Sequence, residues 1–268
     1  MAAASITLVA GYPRSGTTFT AGCCARAEAQ WHHRQGLRPA GGVPPPRFGF
    51  DLDAPLDREA FALSLARLER FSVRTHAPPA TFRERFPEVW ARVGRILYVQ
   101  RHPFEVALSV CRYVIATEGM VPGIGRAETS FAAAVERGDV RAFFRLFCES
   151  RGAPNFLRPW GSWSDHLAGW RAAMAEAGLP SAVLSYDRLV REPEARLLLA
   201  AGALGLPWRE ADLRQAVAQM APERVREGIG AFFVGEAPAR LRYPDLLGEE
   251  EIRLGLATFG AEMLRYGV

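Results

Sequence analysis

The spacing of apolar and polar positions changes several times along the chain, and each change predicts an element. Residues 6–10 form a short apolar run that ends in Gly11–Tyr12–Pro13, which predicts a buried strand followed by a turn. Residues 15–30 then read as a helix, so the chain opens strand, loop, helix. A helix is predicted over 60–70, a strand over 71–75, a strand over 96–100 and a helix from about 104 to 114. Two shorter helices follow, around 130–137 and 140–149. Residues 163–177 are amphipathic and stop at Gly178–Leu179–Pro180, a C-cap signal. A strand over 182–186 and a helix over 194–204 closed by Gly205 come next. The remainder reads as mostly helical, with an irregular stretch over 228–247. No internal period is visible.

Strands alternating with helices predict an α/β fold: three layers, with a P-loop-type central parallel sheet flanked by helices. At 268 residues, of which 49% are hydrophobic, the chain supports a buried core. We read residues 1–268 as one domain with two insertions that shape a substrate pocket. One is the Gly- and Pro-rich stretch at about 36–55; the other covers about 116–159. Ligands in such folds bind at the carboxyl ends of the strands. Four segments with unusual polar residues are expected to arrive there: 12–18, 74–76, 101–109 and 186–187.

Charge and cysteine usage narrow the function classes. The 33 basic and 29 acidic residues give a net charge of +4, and the sequence contains no lysine, so every fixed cation is an arginine. Those arginines are dispersed, which argues against a nucleic-acid-binding tail and leaves a phosphate-rich small ligand as the fitting partner. No apolar run reaches about 18 residues, and the N-terminus lacks a basic n-region, so neither a membrane span nor a secretory signal is expected. Cys23, Cys24, Cys111 and Cys148 have no metal or disulfide spacing and read as free thiols of a cytoplasmic protein. The adjacent His32 and His33 do not face one site on a helix and come with no carboxylate cluster, so no metal is expected.

The strongest chemical signal is Gly11–Tyr12–Pro13–Arg14–Ser15–Gly16–Thr17–Thr18, placed between a strand and a helix. Backbone N–H groups at such a turn form an anion nest backed by the helix N-terminus. The Gly11-to-Gly16 spacing matches a Walker loop, but Thr17 stands where that loop carries its lysine, and Arg14 lies inside it. A P-loop phosphotransferase or kinase stays open as the alternative, and a non-catalytic nucleotide-binding module is the third reading.

Tyr12 to Phe19 closely resembles the YPKSGTTW loop of cytosolic-type sulfotransferases, which use 3′-phosphoadenosine 5′-phosphosulfate (PAPS) and release PAP. Arginine replaces lysine at position 14, as in tyrosylprotein sulfotransferases, and Phe19 replaces tryptophan. The resemblance implies that Arg14, Ser15, Gly16, Thr17 and Thr18 hold the 5′-phosphosulfate and that Phe19 stacks on adenine. Arg74–Thr75–His76 resembles the family's Lys-Thr-His segment, which implies His76 as general base and Arg74 as a holder of the transferring sulfonate. Arg101 and Ser109, eight residues apart, match the 3′-phosphate motif. Tyr186 matches the tyrosine that hydrogen-bonds adenine, although its run also imitates a Walker B strand. Arg226–Glu227–Gly228 resembles the Arg-Lys-Gly that closes on the 3′-phosphate. The segment 161–170 is similar to the family's GSW-x-DH, where Trp163, Leu167 and Trp170 read as core.

The implied reaction is in-line transfer of a sulfonate from PAPS to a hydroxyl or amine of a small-molecule acceptor, without a metal. His76 takes the acceptor proton and Arg14 stabilises the leaving 5′-phosphate. Arginine cannot readily give up its proton, so Arg14 is expected to act electrostatically. Phe48, Phe50, Phe143, Phe144, Phe147, Phe156 and Trp160 are expected to line an apolar or aromatic acceptor cavity, as in a bacterial enzyme acting on a phenol or alcohol. The family's C-terminal dimerisation motif is not evident, so a homodimer stays open without support from the sequence.

Overall fold

A computed structural model describes residues 5–36, 50–54, 58–67, 70–118, 120–121, 125–126, 130–221 and 242–268. In chain order the elements begin β1 (Ser5–Ala10), α1 (Thr17–Arg34), β2 (Phe50–Asp51), α2 (Arg58–Arg67), β3 (Arg70–Thr75), α3 (Pro79–Arg85), α4 (Pro87–Trp90) and β4 (Val93–Gln100). They continue with α5 (Pro103–Glu118), β5 (Met120–Val121), β6 (Gly125–Arg126), α6 (Phe131–Glu136), α7 (Asp139–Glu149), α8 (Leu157–Trp160) and α9 (Trp163–Ala177). The last are β7 (Ser181–Ser185), α10 (Tyr186–Leu189), α11 (Pro193–Ala203), α12 (Glu210–Gln219), α13 (Tyr243–Leu246) and α14 (Glu249–Tyr266). They form two compact units: Met1–Gln100 with Leu167–Ala221, and Arg101–His166 with Pro222–Val268.

The first unit holds the expected parallel sheet, five strands in the order β2-β3-β1-β4-β7. β1 is buried at every position from Ile6 to Ala10, so both of its faces are covered, as in a sheet sandwiched between helices. The connection from β1 runs toward β3 and that from β4 toward β7, which puts the switch point between β1 and β4. Registers carry this order into the site: Ala10 pairs with Thr75 across β1 and β3, and Asp51 pairs with Arg74 across β2 and β3. Thus 50–51, expected to be part of an irregular excursion, are the edge strand of the sheet. The reason is local packing. Phe50 is buried against Phe61 and Phe71, with ring centroids 5.0 and 5.8 Å away, and Leu52 N–H donates to the Arg74 carbonyl at 3.0 Å.

Helix α1 packs along β3 and α12. Its Arg26 donates to Gln219 at 2.6 Å and its Arg34 pairs with Asp212. Helix α9 has the predicted bounds and ends at Gly178, whose φ of 61° is the left-handed conformation that a C-cap glycine supplies. Helices α3 and α4, absent from the periodicity reading, each start with proline at the first helical position. Trp170 of α9 is fully buried and donates its Nε1–H to the Ala77 carbonyl at 3.1 Å. This bond secures the main chain one residue beyond His76.

Among its described residues, the elements of the second unit are helices apart from the antiparallel pair β5–β6. Helix α7 repeats buried side chains at Val140, Phe143, Phe144 and Phe147, an amphipathic stripe. Phe144 packs edge-on to Phe104 at 5.0 Å, and Phe147 lies 5.6 Å from Phe259, which also meets Trp163 at 5.5 Å. Gly255 permits this closeness, since a Cβ there would lie 2.8 Å from Phe144 Cζ. Phe50, Phe143, Phe144 and Phe147, expected to line an acceptor cavity, are buried, because helix and strand periodicity turns them inward, and Phe50, Phe144 and Phe147 meet other rings. Trp160 is half-buried, and Phe48 and the Phe156 side chain lie outside the described residues. Among the described residues no helix is long and apolar enough to cross a membrane.

Replacing Trp170 by Phe removes the donor to Ala77 while keeping an aromatic core. The expected loss is about 1–3 kcal/mol, the usual cost of leaving a buried acceptor unsatisfied, read as a lower urea midpoint by circular dichroism. An unchanged midpoint would exclude this bond as an anchor of the 76–79 segment.

Candidate functional site

The site of the first unit starts where β1 ends. Gly11 passes so close to β4 that a Cβ would lie 2.6 Å from the Val99 carbonyl oxygen and 2.7 Å from Thr17 Cγ2, so a side chain does not fit. Ser15 N–H donates to the Tyr12 carbonyl at 3.1 Å, which closes a tight turn. Arg14 then has φ 68° and Gly16 has φ 92°, both in the left-handed region. For Arg14, a residue with a side chain, that conformation costs on the order of 1 kcal/mol. Alternating backbone hand of this kind turns successive N–H groups toward one point.

Gly16 is also the N-cap of α1. No side chain caps that end, and its first turn carries no acid. The positive end of an 18-residue helix dipole is therefore left for an anion. Thr17 is buried, while Thr18 and Phe19 are half-buried on the first turn. The Tyr186 ring, carried at the carboxyl end of β7, packs over Gly16 and occupies the volume where a Cβ would stand. Among the described residues, buried Ser15 Oγ and Arg74 Nε meet no hydrogen-bond partner.

The in-register pairing of β3 brings the other half of the unit-1 site to this loop. Arg74 donates through Nη1 to Thr18 Oγ1 and through Nη2 to the Asp51 carboxylate. His76 lies just beyond the Ala10–Thr75 pair, and its Nδ1 is 2.7 Å from the Gly11 carbonyl oxygen. A carbonyl only accepts, so Nδ1 carries the proton and Nε2 carries the lone pair of the neutral ring. Burial, then the neighbouring Arg74 guanidinium, push the imidazole down to about 4, with Arg14 acting in the same direction. The Gly11 carbonyl and Asp51 oppose that shift. At neutral pH the ring is thus uncharged and basic at Nε2. The His76 backbone N–H donates to Asp53, whose carboxyl is raised above its ordinary range, chiefly by burial. Sequence reasoning missed Asp51 and Asp53. The available signal was an Asp-x-Asp alternating with Phe50 and Leu52, an edge-strand pattern hidden beside a Pro-rich stretch.

Arg101 and Ser109 belong to the second unit. Arg101 lies 3.7 Å from Glu105, a buried carboxylate one helical turn on, and Glu105 is 3.8 Å from Arg242. Arg112 feels the charges of Glu105, Arg101 and Arg242 together, and burial lowers its pKa. Positions 105, 109 and 112 share one face of α5 by their spacing. One carboxylate is thus paired with two guanidiniums and acts on the charge of a third, of which the sequence reading found Arg101 alone; the i, i+4, i+7 spacing was the clue to Arg112. The His102 ring stacks on Tyr243 at 5.0 Å.

His166 is buried on α9, and Trp163, Leu167 and Trp170 are core as expected. Arg226, Glu227 and Gly228 lie outside the described residues. All four cysteines are buried and free, and burial pushes the Cys23, Cys111 and Cys148 thiols up to about 12, which leaves them unreactive. Among the described residues no group of three or more His, Cys, Asp or Glu could hold a metal ion.

Comparison with known proteins follows this geometry. The family model described as "Sulfotransferase domain" matches residues 54–228. Comparison with curated protein sequences gives no match. Among solved structures, the chain resembles mouse sulfotransferase SULT7A1 complexed with PAP at a TM-score of 0.59 and 18% identity, covering 97% of this chain and 84% of that one. It resembles retinol dehydratase in complex with androsterone and the inactive cofactor PAP at a TM-score of 0.58 and 16% identity, covering 96% and 80%. These likenesses establish a shared fold.

By proton NMR, the His76 ring is expected to titrate at about 4, against the ordinary 6.5. Between those values the unfolded chain binds the proton that the folded chain refuses, so this group's contribution to stability falls as pH drops from 6.5 toward 4. A midpoint near 6.5 would refute the depression that burial and the Arg74 guanidinium impose on the ring.

Proposed function

We propose, for a chain that belongs to the sulfotransferase domain family and is a sulfotransferase enzyme, that it moves a sulfonate from PAPS to a hydroxyl or amine of a small molecule. One observation carries the reading. A lysine-free anion nest has an unpartnered buried hydroxyl at Ser15 and an unpartnered Nε at Arg74, beside an imidazole kept neutral at His76. Orphaned donors in the loop and on the arginine bonded to Thr18, beside an uncapped helix N-terminus, fit a phosphosulfate group, whose oxygens accept hydrogen bonds.

PAPS, when bound, supplies the sulfonate and leaves as PAP. The amides of Gly16, Thr17 and Thr18, the Ser15 hydroxyl and the Arg14 guanidinium hold the 5′-phosphosulfate end, and Phe19 and Tyr186 hold adenine. Arg101 and Ser109 take the 3′-phosphate, and Arg226, Glu227 and Gly228 close on it. At the reacting end His76 receives the acceptor's proton on Nε2, and Arg74 steadies the sulfonate oxygens. Arg14 bears the charge that develops where the 5′-phosphate departs, and as a guanidinium it stays protonated throughout. Positioning and fixed charge do most of the work, as in phosphoryl transfer through a loose transition state.

Labelled sulfonate transfer to a panel of phenols, alcohols, amines and glycans, with calorimetric PAP binding, tests the proposal. Arg14→Ala is expected to lower kcat by about 10²–10³, the usual cost of removing one preorganised donor. His76→Ala should lose transfer while binding PAP within about threefold, since a general base holds no part of the nucleotide. Loss of PAP binding by His76→Ala would make that residue structural, and wild-type turnover by Arg14→Ala would exclude its role. Chelators should leave the rate unchanged. ATP-dependent phosphoryl transfer by the wild type, with no use of PAPS, would replace this reading by a kinase.

A further inference from the structure

Arginine at position 74 raises a problem that lysine does not. An ammonium is a point charge that serves from any direction, whereas a guanidinium is planar and serves only if its plane is held. Two bonds on different nitrogens hold it here, Nη1 to Thr18 and Nη2 to Asp51. The Arg74 side chain is 12% exposed and that of Asp51 28%, so the pair sits at the rim of the buried region, where its attraction is only partly screened. The contact is built into the sheet: Asp51 and Arg74 are register partners of β2 and β3, and side chains of paired positions point to the same face.

Asp51 does a second thing. Its Oδ1 accepts the Asp53 N–H at 3.1 Å, which sets the turn after β2. Asp53 in turn accepts from the His76 backbone N–H and, at 3.3 Å, from Thr75 Oγ1, which itself accepts the Ala77 N–H at 3.0 Å. One carboxylate therefore touches the arginine directly and the histidine's main chain through a single residue.

We infer that Asp51 is the positioning residue of this site, fixing the plane of the Arg74 guanidinium and, through Asp53, the main chain that carries His76. This inference rests on the sulfotransferase reading for what the two side chains do, and on the hydrogen bonds alone for how they are held. Among the described residues, the charged groups acting on the His76 ring include Arg74 on β3, Arg14 in the loop after β1 and Asp51 on β2, with Asp53 at its main chain. The two arginines disfavour the imidazolium, whereas Asp51 favours it. Neutralising Asp51 must therefore make His76 harder to protonate, which a residue with a purely packing role would not do.

The test compares Asp51→Asn, Asp51→Glu and Arg74→Lys in the full chain, with NMR titration of His76, calorimetric PAP binding, and transfer from PAPS to the same acceptor panel. Asp51→Asn is near-isosteric at a partly exposed position. It is expected to move the His76 midpoint below that of the wild type and to lower kcat at least about tenfold, with PAP affinity within about threefold, as for misdirecting one preorganised donor. Asp51→Glu keeps the charge on a longer arm, so it should restore the midpoint while kcat stays below wild type. In the Arg74→Lys background, where no plane needs holding, Asp51→Asn should cost less than about threefold, the non-additivity expected of groups in direct contact.

An unmoved His76 midpoint, a wild-type kcat for Asp51→Asn, or the same rate loss in both backgrounds would overturn the inference. Should Asp51→Asn fail to fold, Asp51→Glu decides: wild-type kcat in that variant overturns the inference. Absence of transfer from PAPS by the wild type would sink the sulfotransferase reading instead. The His76 titration would still judge Asp51.

Discussion

The site depends on one strand register. Because Ala10 lies opposite Thr75, the residues that leave the two strands, Gly11 and His76, leave side by side, and the Gly11 carbonyl accepts the Nδ1 proton at 2.7 Å. A slip by one residue would carry every β3 side chain to the opposite face of the sheet and move the imidazole away from the loop. The register is in turn held by burial. β1 is covered on both faces, and β3 is buried at Phe71, Ser72, Val73 and Thr75, so any alternative pairing exposes apolar surface.

Within that frame the arginines are gathered around carboxylates. Near the loop, Arg14 and Arg74 face the single carboxylate of Asp51 across His76, with Asp53 engaged by backbone. In the second unit Arg101, Arg112 and Arg242 gather about Glu105. The second-unit cluster keeps more guanidinium than carboxylate, the pattern of a surface that receives anions, whereas the loop cluster sets two guanidiniums beside two carboxylates. The carboxylates that remain orient arginines. In a chain without lysine every cation is planar, and a planar cation needs a partner that defines its direction.

The neutral state of His76 follows from the same crowding. Burial and two nearby guanidiniums penalise a third positive charge, so the ring stays a base at ordinary pH even with Asp51 beside it. Its proton sits on Nδ1 because the carbonyl there only accepts, and the lone pair consequently sits on Nε2. Tautomer, charge and position are all set by backbone and fixed charge, before any substrate enters.

Local chemistry in the sequence determined a good deal by itself. The apolar run of β1, the periodicity of α9 with its Gly178 stop, and the Gly11-to-Thr18 loop each depend on neighbours within a few residues, and the structure has them where the pattern puts them. Arg74 and His76 were legible because they end a strand that leads into Ala77–Pro78–Pro79. Only tertiary structure decided what lies across the chain from them. Asp51 meets Arg74 through a strand pairing 23 residues distant in sequence, and Arg242 meets Glu105 from 137 residues away. Phe143, Phe144 and Phe147 became core because the space opposite α7 is filled by Phe104 and Phe259, which no local period records. Periodicity specifies which face of an element is apolar; which partner covers it, and which charge stands opposite, are settled when distant segments pack.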